Sequence, residues 1–305
     1  MGTTLASVVM QAFPYGLPKM LISTMASGFT APFVGVKDIT MHNAVCDIYG
    51  LNSISSLVYR NGAYGLAGMA HAYAPTHSSA KPLVLVSTLG TTEAAAHRLR
   101  ERLAADGYEV MVFHTTGAGG RTLDAIAAER EVAAIVDMSL VELNDYLYQG
   151  ICSAGPDRAT AGLKRKIPTI FAPGNCDFII AGPIEDARQL FPGKRYHVHN
   201  PALTAVRTEA PELAGLAAHL AKITADAMGP VRFFVPMKGF SHHDSPLGHI
   251  HDPSLPPVFA RQLEEALRGR FPVTRIDAHI NDDEFVDALR ASVLDLTTKE
   301  PVHGG

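Results

Sequence analysis

Six short strings hold the side chains that could do chemistry. The first, HTTGAGGR (114–121), joins an apolar run to a helical pattern. Its glycines, Gly117, Gly119 and Gly120, permit close backbone approach to a ligand. The helix that follows offers free N–H groups to an anion. With His114 they form a candidate anion cradle, although the spacing is not GxGxxG and no P-loop lysine follows. A tight turn between strand and helix would need the same glycines.

The second string is HVHNPALTAVRT (197–208). His197 and His199, two apart on a strand, face one side, but two imidazoles alone do not make a metal site. Asn200 precedes Pro201 in extended chain, and Arg207 could clamp a carboxylate or phosphate. A structural loop with hydrogen-bonded histidines is the competing reading.

The third, GFSHHDSPLGHIHDP (239–253), crowds His242, His243, His249 and His251 beside Asp244 and Asp252. It has the composition of a zinc or iron loop but no tight ligand spacing, so a solvated histidine-rich loop is the alternative. In DAHIND (277–282), Asp277 and His279 share a face if the strand persists, which would orient His279 as a general base. A helix cap and a core histidine would read the same.

The fifth group is Asp137, Glu142 and Asp145 in VDMSLVELNDYL, Asp157 and Arg158 in SAGPDR, and Cys176 and Asp177 in GNCDF. Acids at a helix start also simply favour the dipole, and Asp157 and Arg158 read as a turn or an ion pair. Cys176 has no base near it in sequence. The last string, MGTTLASVV, enters a helix through Gly2, Thr3 and Thr4, which could hold a phosphate.

Something must bring these strings together. Six apolar runs, starting near residues 82, 108, 132, 167, 231 and 273, each break into a polar loop, and most alternate with helical patterns. This rhythm predicts a Rossmann-like, doubly wound α/β fold with a mostly parallel sheet. Its strand ends share one rim, where ligands bind in such sheets. Residues 1–78 supply only two short strands, PKMLIST and DITM, with helical runs at Thr3–Phe13 and Asn52–Tyr73. They read as a partial α/β segment before the domain at 79–305, with AYAPTHSSAKP as linker.

Composition narrows the function. The chain has 305 residues, 47% hydrophobic and 18% charged, with net charge −4. No Lys/Arg block exists, so a nucleic-acid partner is not expected. The start is a poor signal peptide, no apolar run reaches the ~20 residues of a membrane span, and the three cysteines form no CxxC pair. A cytoplasmic, reducing location is the expectation.

Read in order, MGTTLASVVMQAFPYGLPKMLISTMASGFTAPFVGVKDI, DIYGLNSIS, HTTGAGGR, SAGPDR, HNPALTAVRT and DAHIND resemble the Tm-1-like ATP-binding domain family over nearly the whole chain. The resemblance implies ATP and magnesium as cofactors, with Gly2, Thr3, Thr4, Ser27 and Gly28 in the nucleotide-domain portion. It also implies that the chain lacks most of the N-terminal domain; either a separate polypeptide would supply the rest or the gene would do without it. In the loop at 239–253 it implies Gly239, Ser241, Asp244, Gly248, Asp252 and Pro253 as the shared frame, while the four histidines are particular to this sequence. The expected function is binding of a small anionic ligand at the sheet's C-terminal rim. Hydrolase or lyase chemistry on a carboxylated or phosphorylated metabolite would then have His199, His279, Glu142 and Asp177 as catalytic candidates and room for a divalent metal. Gly117–Gly120, His114, Asn200, Arg207 and Asp244 would bind the ligand. The alternative is a non-catalytic nucleotide-binding or protein-interaction subunit within a homo- or hetero-oligomer.

Overall fold

A computed structural model describes residues 2–74 and 80–298. It divides into two compact units, residues 1–79 and 80–305. The middle of the expected linker, 75–79, lies outside the described residues.

In the first unit, α1 (Gly2–Gln11) is followed by β1 (Met20–Ser23), α2 (Ala31–Val34), β2 (Thr40–Asn43) and α3 (Ser53–Ala72). The two strands pair in parallel, Met20 opposite Thr40 through Ser23 opposite Asn43. The α3 helix starts at a reciprocal cap. The Asn52 side chain accepts from the Ile54 and Ser55 amides, and the Asn52 amide donates to Ser55 Oγ at 2.9 Å. Such a cap satisfies amides that a helix start otherwise leaves open.

In the second unit the chain runs β3 (Leu83–Thr88), α4 (Glu93–Ala105), β4 (Glu109–His114), α5 (Ala118–Glu129), β5 (Ala134–Asp137), α6 (Val141–Tyr148), α7 (Ala161–Lys164) and β6 (Thr169–Phe171). It continues through β7 (Phe178–Ala181), α8 (Ile184–Leu190), β8 (Tyr196–Asn200), β9 (Leu203–Arg207), α9 (Ala210–Ile223), β10 (Val231–Pro236), α10 (Leu255–Leu267), β11 (Val273–Ile276) and α11 (Asp283–Thr298). Six strands form one sheet in the order β11-β10-β6-β5-β3-β4, all parallel. The expected doubly wound α/β fold is therefore present.

Its central strands are apolar runs because both faces are covered. One face packs Leu99 and Leu103 of α4 and Phe285, Leu289 and Val293 of α11, all fully buried, against Val84, Val86 and Val136. The other packs Leu213, Leu216 and Leu220 of α9 and Phe259 of α10 against Phe171, Phe233 and Val235. Each such side chain contributes roughly 1.5–3 kcal/mol by leaving water.

The rhythm of the runs did not foretell a second sheet. Strands β7, β9 and β8 form an antiparallel trio beside the main sheet. Only one helix, the seven-residue α8, lies between FIIA and LTAVR, and β8 and β9 are joined by a tight turn, so these segments carry no crossover pattern.

Candidate functional site

The chain leaves β4 for the far side of β3 to make β5, so the strand order reverses between β3 and β5. In open α/β sheets that reversal opens a crevice at the C-terminal ends of the strands. Here the crevice is filled from within. Ser87 and Asp137 are paired across it in register, and Ser87 Oγ donates to Asp137 Oδ1 at 2.6 Å. Arg158 clamps the same carboxylate through Nη1 and Nη2 at 2.7 and 2.8 Å, and its Nε donates to Glu142 Oε2 at 2.7 Å.

Glu142 completes the arrangement. Its Oε1 accepts the amides of Gly117 at 2.7 Å and Gly120 at 3.0 Å, at the start of α5. The glycines of HTTGAGGR are explained by this packing. A Cβ on Gly120 would lie 1.8 Å from Glu142 Oε2 and 2.1 Å from Arg158 Nε, and one on Gly119 would lie 1.9 Å from the His114 carbonyl oxygen. The expected anion cradle thus has two amides already donating to a carboxylate of its own chain, and it does not fit the phosphates of a nucleotide. Glu142 is thus a buried partner of Arg158 and of the α5 amides, and Gly117, Gly119 and Gly120 pack in the turn.

Beside this crevice lies a cavity of about 420 Å³, within the usual size of small-molecule sites. The strand ends supply Leu89, Gly90 and Thr91 after β3, and His114 and Thr116 at and after β4. The small sheet supplies the opposite wall. Phe178 and Ile180 of β7 pair with Arg207 and Ala205 of β9, so alternation turns Phe178, Ile180, Ala205 and Leu203 to one face. Those four line the cavity together with Cys152, His199 and His243. Asp145 sets two of these wall residues, accepting the amides of Cys152 at 2.8 Å and Ile180 at 2.9 Å. Burial pushes the Asp145 carboxyl up to about 7 against those two hydrogen bonds. Burial also pushes the Cys152 thiol up to about 12, with the carboxylates of Asp145 and Glu142 adding to it. Cys152 therefore stays a thiol and is no nucleophile.

Four imidazoles gather at the edge of the cavity. The His197 ring lies 4.2 Å from that of His243 and 4.8 Å from that of His249, stacked on the latter, and His199 follows on the same strand. The Phe178 ring meets His243 edge-on at 5.9 Å. Burial, and then the neighbouring imidazoles, bring His243 down to about 4 and lower His197. Among the described residues, no group of three His, Cys, Asp or Glu side chains is arranged to hold a metal ion.

Arg207 and Asp244 meet in a second buried cluster. Arg207 Nη1 lies 3.2 Å from Asp244 Oδ1 and 3.7 Å from Asp177 Oδ2. Asp177 Oδ2 also accepts from Ser241 Oγ at 2.7 Å. Arg207 Nε and Nη2 and Asp177 Oδ1 are buried without a hydrogen-bond partner. Burial, followed by the Asp244 carboxylate, pushes the Asp177 carboxyl up to about 7.

The other expected site residues lie elsewhere. His279 is beyond the end of β11, so it shares no strand face with Asp277, which instead pairs with Lys238 at 3.2 Å. His279 Nδ1 accepts from the Asn281 amide at 3.1 Å, which leaves Nε2 to donate to the Ser241 carbonyl at 2.9 Å. Both ring nitrogens of His279 are thus held by the backbone, and the ring clamps its loop. Asn200 Oδ1 accepts the Ala202 amide at 2.9 Å, closing the β8–β9 turn.

In the first unit, Gly2 and Thr3 line a separate cavity of about 360 Å³ with Ser23, Thr24 and Asp47. Thr3 Oγ1 and Ser23 Oγ share a hydrogen bond of 2.8 Å. Thr4 and Gly28 lie outside that lining, with Gly28 ending a short 3-10 turn at Thr24–Ser27. Among the described residues that line it there is no lysine or arginine, so no side-chain cation is offered there to a phosphate. No described helix is long and apolar enough to cross a membrane.

The wall of the cavity was the part missed from sequence. Phe178, Ile180, Leu203 and Ala205 have no catalytic chemistry, and only the period-two pattern of FIIA and LTAVR pointed to a shared face.

Sequence comparisons agree with this division of the chain. A UPF0261 protein of Clostridium tetani is 34% identical over 302 residues, covering 98% of this chain and 74% of its own length. The tomato ToMV resistance protein Tm-1 is 33% identical over 305 residues, covering 98% of this chain and 40% of its own length. A UPF0261 protein of Mesorhizobium japonicum is 34% identical over 292 residues, covering 95% and 73%. A solved structure of tomato methylketone synthase I aligns over 73% of this chain and 99% of its own at 12% identity and a TM-score of 0.35, which is too low to carry an argument. Residues 81–300 match the C-terminal domain described as Uncharacterised protein family (UPF0261), and residues 1–75 match that family's N-terminal domain. The second match corrects the expectation that the N-terminal domain is lacking. With both domains matched and Tm-1 among its relatives, the chain belongs to the UPF0261 family.

Proposed function

We propose that the cavity between the C-terminal rim of the parallel sheet and the antiparallel trio binds a small metabolite and performs imidazole-based acid–base chemistry on it, of the hydrolytic or lyase class. One observation supports this most: His114, His199 and His243 converge on a cavity of about 420 Å³ whose other lining, apart from Thr91 and Thr116, is mainly apolar. Apolar walls exclude water and a few polar groups orient the ligand. His199 takes the role of base, since His279 is held by the backbone and Cys152 stays protonated.

Leu203→Trp, which narrows the cavity from one wall, tests the reading. A panel of small carboxylates and phosphate esters is screened by thermal shift, where a ligand at a hundredfold its Kd stabilises by about 2.7 kcal/mol. Compounds that raise Tm of the parent protein should leave Leu203→Trp unmoved, and His199→Ala should keep binding and lose turnover. A compound that stabilises both proteins equally would place its site elsewhere.

A second reading, a subunit that pairs with another chain, is favoured by the first unit. Leu5, Val8, Phe29, Tyr49 and Leu51 are 69%, 61%, 75%, 94% and 77% exposed, and apolar surface of that extent marks an interaction site. Native mass spectrometry of the untagged chain would show a homo- or hetero-oligomer on this reading, and a monomer would remove it.

A further inference from the structure

Among the described residues, the main charges acting on His197 and His243 are other imidazoles, with no carboxylate named beside them. His243 is lowered by burial and then by His197, His242, His199 and His249, while His197 is lowered by burial, His249 and His199. The nearest acid in sequence, Asp244, turns away. Its Oδ1 lies 3.2 Å from Arg207 Nη1 and 3.5 Å from His251 Nδ1. Asp252, farther along the loop, pairs with Arg195 at 3.0 Å. From β7 the Phe178 ring meets His243 edge-on. Imidazoles packed at 4.2 and 4.8 Å without a counter-ion resist protonation by mutual repulsion. An anion set among them reverses the sign of that effect, because each added proton then gains a partner. Two of the rings, His199 and His243, also line the apolar cavity, so one molecule can touch both.

We propose that the histidine cluster binds the anionic head, a carboxylate or phosphate, of an amphipathic ligand whose apolar body fills the cavity, and that binding takes up protons onto the imidazoles. This rests on the cavity's being the binding site, and it adds the class of ligand and the pH dependence. Affinity rises as pH falls, because the bound state holds more protons than the free one. The slope is about tenfold per pH unit for each proton taken up.

Hexanoate and the neutral hexanol serve as probes, since neither titrates between pH 5.5 and 7.5. Calorimetry in two buffers of different ionisation heat should show hexanoate binding more tightly than hexanol, with uptake of about one proton and affinity falling about tenfold per pH unit. Nitrogen-detected NMR of the imidazoles in the unmutated protein should show the titrations of His197 and His243 moving to higher pH with hexanoate, independently of any variant's folding. His197→Gln, whose ring lies outside the cavity lining, should bind hexanol as before and weaken the pH dependence for hexanoate. Hexyl phosphate in place of hexanoate tells which head is preferred, and tighter binding of either supports the proposal. Hexanol bound with hexanoate no tighter, or with no proton uptake, overturns the proposal and leaves the cavity reading standing. Failure of both probes to bind overturns both.

Discussion

Arg158 and Arg207 have the same surroundings in outline. Each side chain is fully buried, and each faces two buried carboxylates. In detail they are opposites. Every guanidinium nitrogen of Arg158 donates to a carboxylate oxygen at 2.7 or 2.8 Å. Arg207 has Nε and Nη2 unpartnered and its nearest carboxylate oxygen at 3.2 Å. A buried charge is tolerated when its hydrogen-bonding capacity is met, and it costs free energy when it is not. The first arginine is therefore a fixture of the fold. The second lies in an under-satisfied cluster on the strand that also gives the cavity Leu203 and Ala205.

The largest break in this comparison should come at Arg158. Replacing Arg158 by Met leaves Asp137 and Glu142 buried without their cation and should cost about 3–5 kcal/mol, read as a lowered urea midpoint or as loss of soluble protein. Arg207→Met removes two unpaired donors along with two weak ion pairs, to Asp244 and Asp177. Asp244 keeps the Phe240 and Asp252 amides at 3.2 and 2.9 Å, so the cost should be nearer 1–2 kcal/mol. Equal losses for the two variants would erase the distinction.

A finer test uses Asp177. Its carboxyl is raised from 3.8 to about 7 in the folded protein. The folded state therefore holds that proton more tightly than the unfolded one, and the stability it contributes is lost as pH rises through 7. Asp177→Asn has nothing to lose there. Relative to the parent, its stability should improve from pH 4 to pH 8 in matched urea titrations. Parallel pH profiles would mean that Asp177 is already ionised and paired with Arg207, making the two clusters alike.

Sequence alone gave the main sheet, because apolar runs ending in polar loops and separated by amphipathic helices admit few other arrangements. It also marked His199 and the histidine loop near the cavity. It could not rank them, because ranking depends on which groups are already paired. Glu142 lies 22 residues beyond Gly120, and nothing in that spacing shows the carboxylate bound to the glycine turn. His279 at a strand end likewise looks free until its two backbone partners are seen. The antiparallel trio escaped for another reason. Its strands are no shorter than β5, β6 or β11, but they lack between them the long amphipathic helices that set those runs apart.

The bond between Glu142 and the α5 amides also bears on how such a turn changes over generations. A glycine-rich turn that takes its anion from its own chain is kept by the demands of folding, whatever the protein binds. Descendants could exchange one metabolite for another through the walls at Phe178, Ile180 and Leu203 while the glycines stayed fixed. Similarity confined to HTTGAGGR would then record shared ancestry of the scaffold, and divergence in ligand would be written in the short strands opposite it.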